Sequence, residues 1–152
     1  MDEEKKKHVL SFEYNEITPQ LFLGTNMCCQ VHFEKELLEK GITVDISLQE
    51  ERIDSPFGVE MFSWIPVKNN TAPTQDQLRL GVGVINTAIK ENKKIYIHCR
   101  FGHGRGPTLL SAYLISQGKS VEEALKLVME KRPVVHLIPL QLEALKAYKK
   151  TQ

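Results

Sequence analysis

The segment Lys94-Ile95-Tyr96-Ile97-His98 runs straight into Cys99-Arg100-Phe101-Gly102-His103-Gly104-Arg105, and an apolar helical stretch follows at once. This order constrains the chain more than any other. The first five residues read as a strand, glycines at 102, 104 and 106 relax the backbone, and Pro107 suits a first helical turn, where a missing N–H costs little. A helix start presents unpaired N–H groups and the positive end of the macrodipole. A glycine-rich bend before it lets several N–H groups, here those of residues 100–105, converge into a concavity for a tetrahedral oxyanion.

The same field favours a thiolate. A cysteine at a helix N-terminus beside guanidinium groups falls from a pKa of ~8.5 to between about 3.5 and 7.5. Cys99 is therefore expected to be a nucleophile at neutral pH. Arg105, six positions on, is expected to curl back and hold two phosphate oxygens through its planar fork. Phosphate loops of the nucleotide-triphosphatase type need a Gly-Lys-Ser/Thr ending, which this loop does not have. A buried cysteine in a glycine-rich turn would explain any one of these residues, but not all of them together between a strand and a helix.

Strand-like and helix-like stretches alternate along the rest of the chain, which favours an α/β layer architecture. Strands are expected at 20–24, 42–48 and 61–67, besides 94–98. A helix is expected over 33–40, stopped by Gly41. Thr74-x-x-Gln77 forms a capping box for a second helix with Leu78, Val82, Ile85 and Ile89 as its apolar stripe. Gly81 and Gly83 weaken that helix and suggest close packing. Residues 108–116 form a buried helix ended by Gly118. Ser120-x-x-Glu123 caps another through Lys131, and a last one runs from about Pro139 with Leu142, Leu145 and Tyr148 on one face. No repeat or linker interrupts the 152 residues, so one domain is expected, with 1–8 as a frayed charged end.

The net charge of +1 supplies no global field for nucleic acid or a membrane surface, so an anion site must be local. No apolar run reaches transmembrane length and no leader is recognisable. Three cysteines (Cys28, Cys29 and Cys99) make neither a disulfide framework nor a zinc motif, and a cytoplasmic location is expected.

At these residues the chain resembles the dual-specificity protein-tyrosine phosphatases, whose signature is His-Cys-x-x-Gly-x-x-Arg followed by Ser or Thr. Ile17-Thr18-Pro19-Gln20-Leu21-Phe22-Leu23-Gly24 looks like the family's opening strand and 41–48 like its second. Ile65-Pro66-Val67 leads into its general-acid loop, and Arg132-Pro133 with Gln141 looks like its closing segment. The resemblance implies a central, twisted, mainly parallel sheet flanked by helices. It implies phosphomonoester hydrolysis through a phosphocysteine, with Cys99 as nucleophile and residues 100–105 (Arg100, Phe101, Gly102, His103, Gly104, Arg105) around the phosphate. No metal or cofactor is expected, because the loop supplies the positive charge. The implied substrate is a phosphorylated protein or a small phosphate or lipid headgroup.

Two departures stand out. Asn69 occupies the place where relatives carry the general-acid Asp, and an amide neither gives nor takes the proton. Such help is worth typically 10²–10⁴-fold. Asp76, His103 or a substrate with a good leaving group could make up for it, although an acidic residue in a first helical turn is more simply a dipole partner. Gly106 stands where the family has a hydroxyl that assists thiolate release; Thr108 is either a substitute or a residue lining the helix. Basic residues at the variable positions 100 and 103 resemble the branch acting on inositol lipids, phosphatidylglycerophosphate and inositol phosphates.

Phe101 either contacts the substrate or covers the loop. His98 is expected to support the loop by hydrogen bonding. Gln141 reads more simply as a helix-surface residue than as one orienting water, and Cys28 and Cys29 more simply as buried apolar residues than as partners of Cys99. Glu50 and Glu51 either pair with a loop arginine or are solvated. Asn69 also leaves open a catalytically impaired phosphate-binding module, and a redox or sulfur-transfer cysteine loop is a third alternative.

Overall fold

The computed structural model describes residues 12–27 and 30–152; residues 1–8 and the pair Cys28 and Cys29 lie outside the described residues. Strands β1 (Tyr14–Thr18), β2 (Leu21–Gly24), β3 (Ile42–Gln49), β4 (Met61–Val67) and β5 (Lys94–His98) form one sheet in the order β1-β2-β5-β3-β4. Only the β1–β2 pair is antiparallel. Helices α1 (Lys35–Glu39), α2 (Gln75–Lys90), α3 (Arg105–Ser116), α4 (Val121–Lys131) and α5 (Pro139–Lys150) complete the described elements. This is the expected α/β architecture, a mainly parallel sheet with helices on both faces.

Period-2 alternation decides which side chains meet which layer. Leu21, Leu23, Val44, Ile46, Ile95 and Ile97 pack with the apolar stripes of α2, α3, α4 and α5. Phe22 and Tyr96, one residue out of phase, join Met27, Phe33 and Leu37 of α1 on the other face. Helix α3 is buried from Arg105 to Ile115, as its all-round apolar sequence demands. Both predicted capping boxes are formed, at Thr74/Gln77 and Ser120/Glu123. Gly81 does mark close packing: a Cβ there would lie 2.6 Å from Leu109 Cδ1. Gly83 does not, since a Cβ there would meet nothing within 4 Å.

The differences from expectation are local. The opening strand is two strands, and Tyr14–Thr18 was concealed by its polar sequence, in which only Ile17 is buried. The helix expected over 33–40 shortens to five residues because Phe33 turns into the second core. No helix among the described residues is long and apolar enough to cross a membrane.

Candidate active site

Parallel strands β2, β5 and β3 end side by side, and the loop from Cys99 to Gly104 crosses their carboxyl ends, where ligands bind in open α/β sheets. Five successive carbonyls of this loop are held by groups around it. Asn26 N–H donates to Arg100 O (3.2 Å), Arg132 Nη2 to Phe101 O (2.8 Å) and Arg132 Nε to Gly102 O (3.0 Å). His136 N–H donates to His103 O (2.9 Å), and the backbone N–H and the hydroxyl of Thr108 both donate to Gly104 O (2.9 and 2.7 Å). A trans peptide points its N–H opposite to its C=O. The N–H groups of residues 101–105 therefore turn away from these outer partners, toward the concave side.

Glycine is required at two of these positions by close approach. Gly102 has φ +67°, and a Cβ there would lie 2.7 Å from Gly24 O. At Gly104 a Cβ would lie 2.7 Å from Gln141 Oε1.

Cys99 is buried and its thiol is not in a disulfide; Sγ accepts from Gly106 N–H at 3.5 Å. Arg105 opens α3, and its guanidinium donates to both oxygens of Glu51 (2.8 Å each) and to Val67 O (2.8 Å). Of the two open readings of Glu51, pairing with the loop arginine is the one observed. These donors hold the Glu51 carboxyl below the usual carboxylate range, against a smaller opposing effect of burial. For Arg105, burial opposes the cation, but Glu51, Cys99 and Glu50 together raise its pKa.

Beneath the loop, His98 Nε2 lies 2.8 Å from Asp45 Oδ1, with both side chains fully buried. The contact is a close approach without the alignment of a hydrogen bond. The ring also stacks on Tyr96 at 5.1 Å. His98 thus underpins the loop by stacking on Tyr96 and close packing against Asp45, a correction to the hydrogen-bonding role expected of it.

A cleft of about 230 Å³ opens over the sulfur. Cys99, Phe101, His103, Gly104 and Arg105 line it from the loop; Asn69, Asn70, His136, Ile138 and Gln141 line it from neighbouring segments. The structure thus brings Asn69, the residue at the acid position, to the nucleophile's cleft. It leaves Asp76 outside: that carboxylate is exposed in the first turn of α2 and paired with Arg79. Arg100 is exposed, its guanidinium 4.9 Å from the Phe101 ring centroid. Phe101, His103 and His136 continue a row of rings at centroid spacings of 5.8 and 5.0 Å.

Three expectations need correction or supplement. Gln141 is buried rather than on the helix surface, because its amide accepts from Ile138 N–H (3.1 Å) and donates to Thr71 O (3.1 Å). The Thr108 hydroxyl lines α3, bonded to Gly104 O, and is not directed to the sulfur. Arg132 stood out only in its resemblance to the family's closing segment, without its contacts to the loop, and His136 carried no sequence signal. Asp45 did carry one, as a lone acid inside an apolar parallel strand.

Comparison with known proteins agrees with this geometry. The family model "Dual specificity phosphatase, catalytic domain" matches residues 21–151. The human phosphatidylglycerophosphatase and protein-tyrosine phosphatase 1 is 35% identical over 94 residues, covering 61% of this chain and 47% of that protein. Rat dual specificity protein phosphatase 5 is 27% identical over 124 residues, covering 79% of this chain and 31% of that protein. The chain thus spans about half the length, or less, of these curated relatives. Among solved structures, PTPMT1 in complex with PI(5)P superposes with a TM-score of 0.76 at 26% identity, covering 91% of this chain and 95% of that one. Human DUSP28 shares the fold, with a TM-score of 0.81 at 21% identity over 90% of this chain and 96% of that one. The match over 21–151 spans β2 to β5 of the sheet, the Cys99 loop and the helices around it, and on that ground the chain belongs to the dual specificity phosphatase catalytic-domain family.

Proposed function

We propose that the chain hydrolyses phosphomonoesters in two steps. Cys99 Sγ displaces the alcohol or phenol in line, forming a sulfur–phosphorus bond as the oxygen–phosphorus bond breaks; water then attacks the phosphocysteine and releases phosphate. One observation carries the reading: the outward-held carbonyls of residues 100–104 turn a row of N–H groups toward the side where Cys99 and Arg105 share a cleft. Preorganised donors of this kind gain most from charge that grows in the transition state.

The substrate class proposed is a phosphomonoester bearing further negative charge, of the phosphoinositide or inositol phosphate kind. His103 and His136 in the lining of the cleft, and Arg100 beside the Phe101 ring that lines it, support it. So does the similarity to a protein solved with PI(5)P. Phosphotyrosine and phosphoserine peptides form the competing arm of the same assay.

Hydrolysis of p-nitrophenyl phosphate in the presence of EDTA tests the reaction. Turnover lost in Cys99→Ser is expected. Tight vanadate binding without turnover would favour the second reading, an impaired phosphate-binding module. The observation behind that alternative is Asn69, whose Oδ1 accepts from Asn70 N–H (3.1 Å) in the acid loop. A panel of inositol lipids, inositol phosphates and phosphopeptides, repeated with Arg100→Ala and His103→Ala, tests the substrate class. Preference for the inositol arm, lost in those variants, is expected; equal activity on peptides would overturn it.

A further inference from the structure

We infer that His136 is the general acid of this site, giving its proton to the leaving oxygen in the task for which Asn69 is chemically unfit. The inference rests on the hydrolytic reading above.

The cleft leaves few candidates. Among the described residues that line it, the side chains able to exchange a proton are Cys99, Arg105, His103 and His136. Cys99 is the nucleophile, and a guanidinium stays protonated. Asp76 lies outside the cleft in its pair with Arg79. Glu51 is held by Arg105 and is not part of the lining either. Two histidines remain, and histidine is the side chain whose ordinary titration falls between about pH 5 and 8.

In-line displacement separates them. The leaving oxygen departs on the side of the phosphorus opposite the attacking sulfur. Its acid must therefore stand on the wall facing the nucleophile loop. His103 belongs to that loop, whereas the His136 side chain enters the cleft from a separate segment, between α4 and α5. His136 is also fixed like a working acid. Its N–H donates to His103 O at 2.9 Å, which ties the segment to the loop. Its Nδ1 lies 3.0 Å from Val134 O, and since a carbonyl only accepts, Nδ1 carries a proton. Nε2 is then the nitrogen left to meet the leaving oxygen. An imidazole whose other nitrogen is oriented by a fixed acceptor is the usual design of a catalytic histidine. The His103 ring lies 5.0 Å from it, and the cleft is otherwise lined by Cys99 and Arg105 from the loop and the neutral Asn69, Asn70 and Gln141, with Phe101, Gly104 and Ile138.

Protons balance over the cycle. The imidazolium Nε2–H passes its proton to the leaving oxygen as the oxygen–phosphorus bond breaks. The neutral ring then takes a proton from the water that attacks the phosphocysteine, which restores the starting state.

The test is kcat/KM for His136→Gln across aryl and alkyl phosphates of rising leaving-group pKa. The loss should grow along the series, from about 3-fold for dinitrophenyl phosphate to about 10²-fold for phenyl phosphate. Adding Asn69→Asp to His136→Gln should flatten the dependence again. His136 is exposed, so the variant should fold, and retained vanadate binding would verify that its loop is intact. A loss uniform across the series, or a steeper slope in His103→Gln with none in His136→Gln, would overturn the assignment to His136 alone. A wild-type protein that binds vanadate yet turns over no member of the series would instead overturn the hydrolytic reading itself.

Discussion

Both terminal nitrogens of Arg105 donate to the carboxylate of Glu51, each at 2.8 Å, and Nη1 gives its second proton to Val67 O. A guanidinium has five N–H groups. These three bonds leave the Nε proton and one Nη2 proton, which together form the adjoining edge of the same plane. Glu51 therefore occupies one edge of the fork and presents the other, and a second anion can be bound without displacing the first. Replacing Glu51 by Gln removes the charge and half of the bidentate match, so the fork loses its fixed plane. A fall in kcat/KM of about 10²-fold is expected, the usual cost of a misplaced positioning group. Steady-state kinetics on an aryl phosphate check it; an unchanged value would mean that Val67 O alone orients the guanidinium.

The same pair has a signature in stability. Glu51 has a lowered pKa in the folded chain because Arg105 donates to it. A carboxylate with a depressed folded pKa contributes stability that is fully present above its unfolded value, ~4.3, and is lost as pH falls through the folded value. The Tm difference between the wild type and Glu51→Gln should thus be constant from neutral pH down to about 5 and shrink progressively below ~4. Thermal melts from pH 3 to 7 measure this directly. A difference that widened on acidification would contradict the pairing.

Arg132 tests a different part of the site. It is buried, and burial lowers its pKa, yet it makes three hydrogen bonds at 2.8–3.0 Å, two of them to loop carbonyls and one to Asn15 Oδ1. Arg132→Met keeps the stem and leaves those acceptors unmatched, at a cost of about 3 kcal/mol by urea unfolding. The loop should suffer more than the fold as a whole, because the Phe101 and Gly102 peptides become free to rotate. Vanadate affinity is therefore expected to fall at least 10²-fold under conditions where the variant is fully folded. Unchanged affinity would assign loop geometry to the glycines alone.

The contrast between Arg132 and Cys99 shows what was legible from sequence. The strand, the cysteine loop with its glycines and the helix that follows are encoded within about fifteen consecutive residues, so local rules of propensity and backbone freedom suffice. Arg132 meets Gly102 across 30 residues, Arg105 meets Glu51 across 54, and Gln141 meets Thr71 across 70. No periodicity carries such information. Gln141 looked like a surface residue because its helix position is ambiguous; two backbone partners from separate loops draw it inside. β1 escaped notice for a related reason, since an edge strand paired on one side needs only Ile17 to be apolar. Asn69 and Gly106, by contrast, were visible as departures only because a family pattern existed to depart from.

Gly106 offers the remaining test. A Cβ placed there would lie 3.7 Å from Cys99 Sγ and 3.1 Å from Leu23 Cδ1. Leu23 must therefore give by a few tenths of an ångström, and a serine hydroxyl, one bond beyond Cβ, comes within hydrogen-bonding reach of the sulfur. Thr108 does not already fill this role, since its hydroxyl is engaged by Gly104 O. The hydroxyl in Gly106→Ser would donate to the thiolate as it leaves the phosphocysteine, and a charge-assisted bond of about 1.4 kcal/mol corresponds to tenfold in that step. The crowding at Leu23 should cost less, about 1 kcal/mol of stability. Rapid-quench kinetics with p-nitrophenyl phosphate separate the two steps: a smaller phenol burst with a higher steady-state rate is expected. A burst of unchanged size with a lower rate would mean that the added side chain only displaces Leu23, and that the glycine is there for packing.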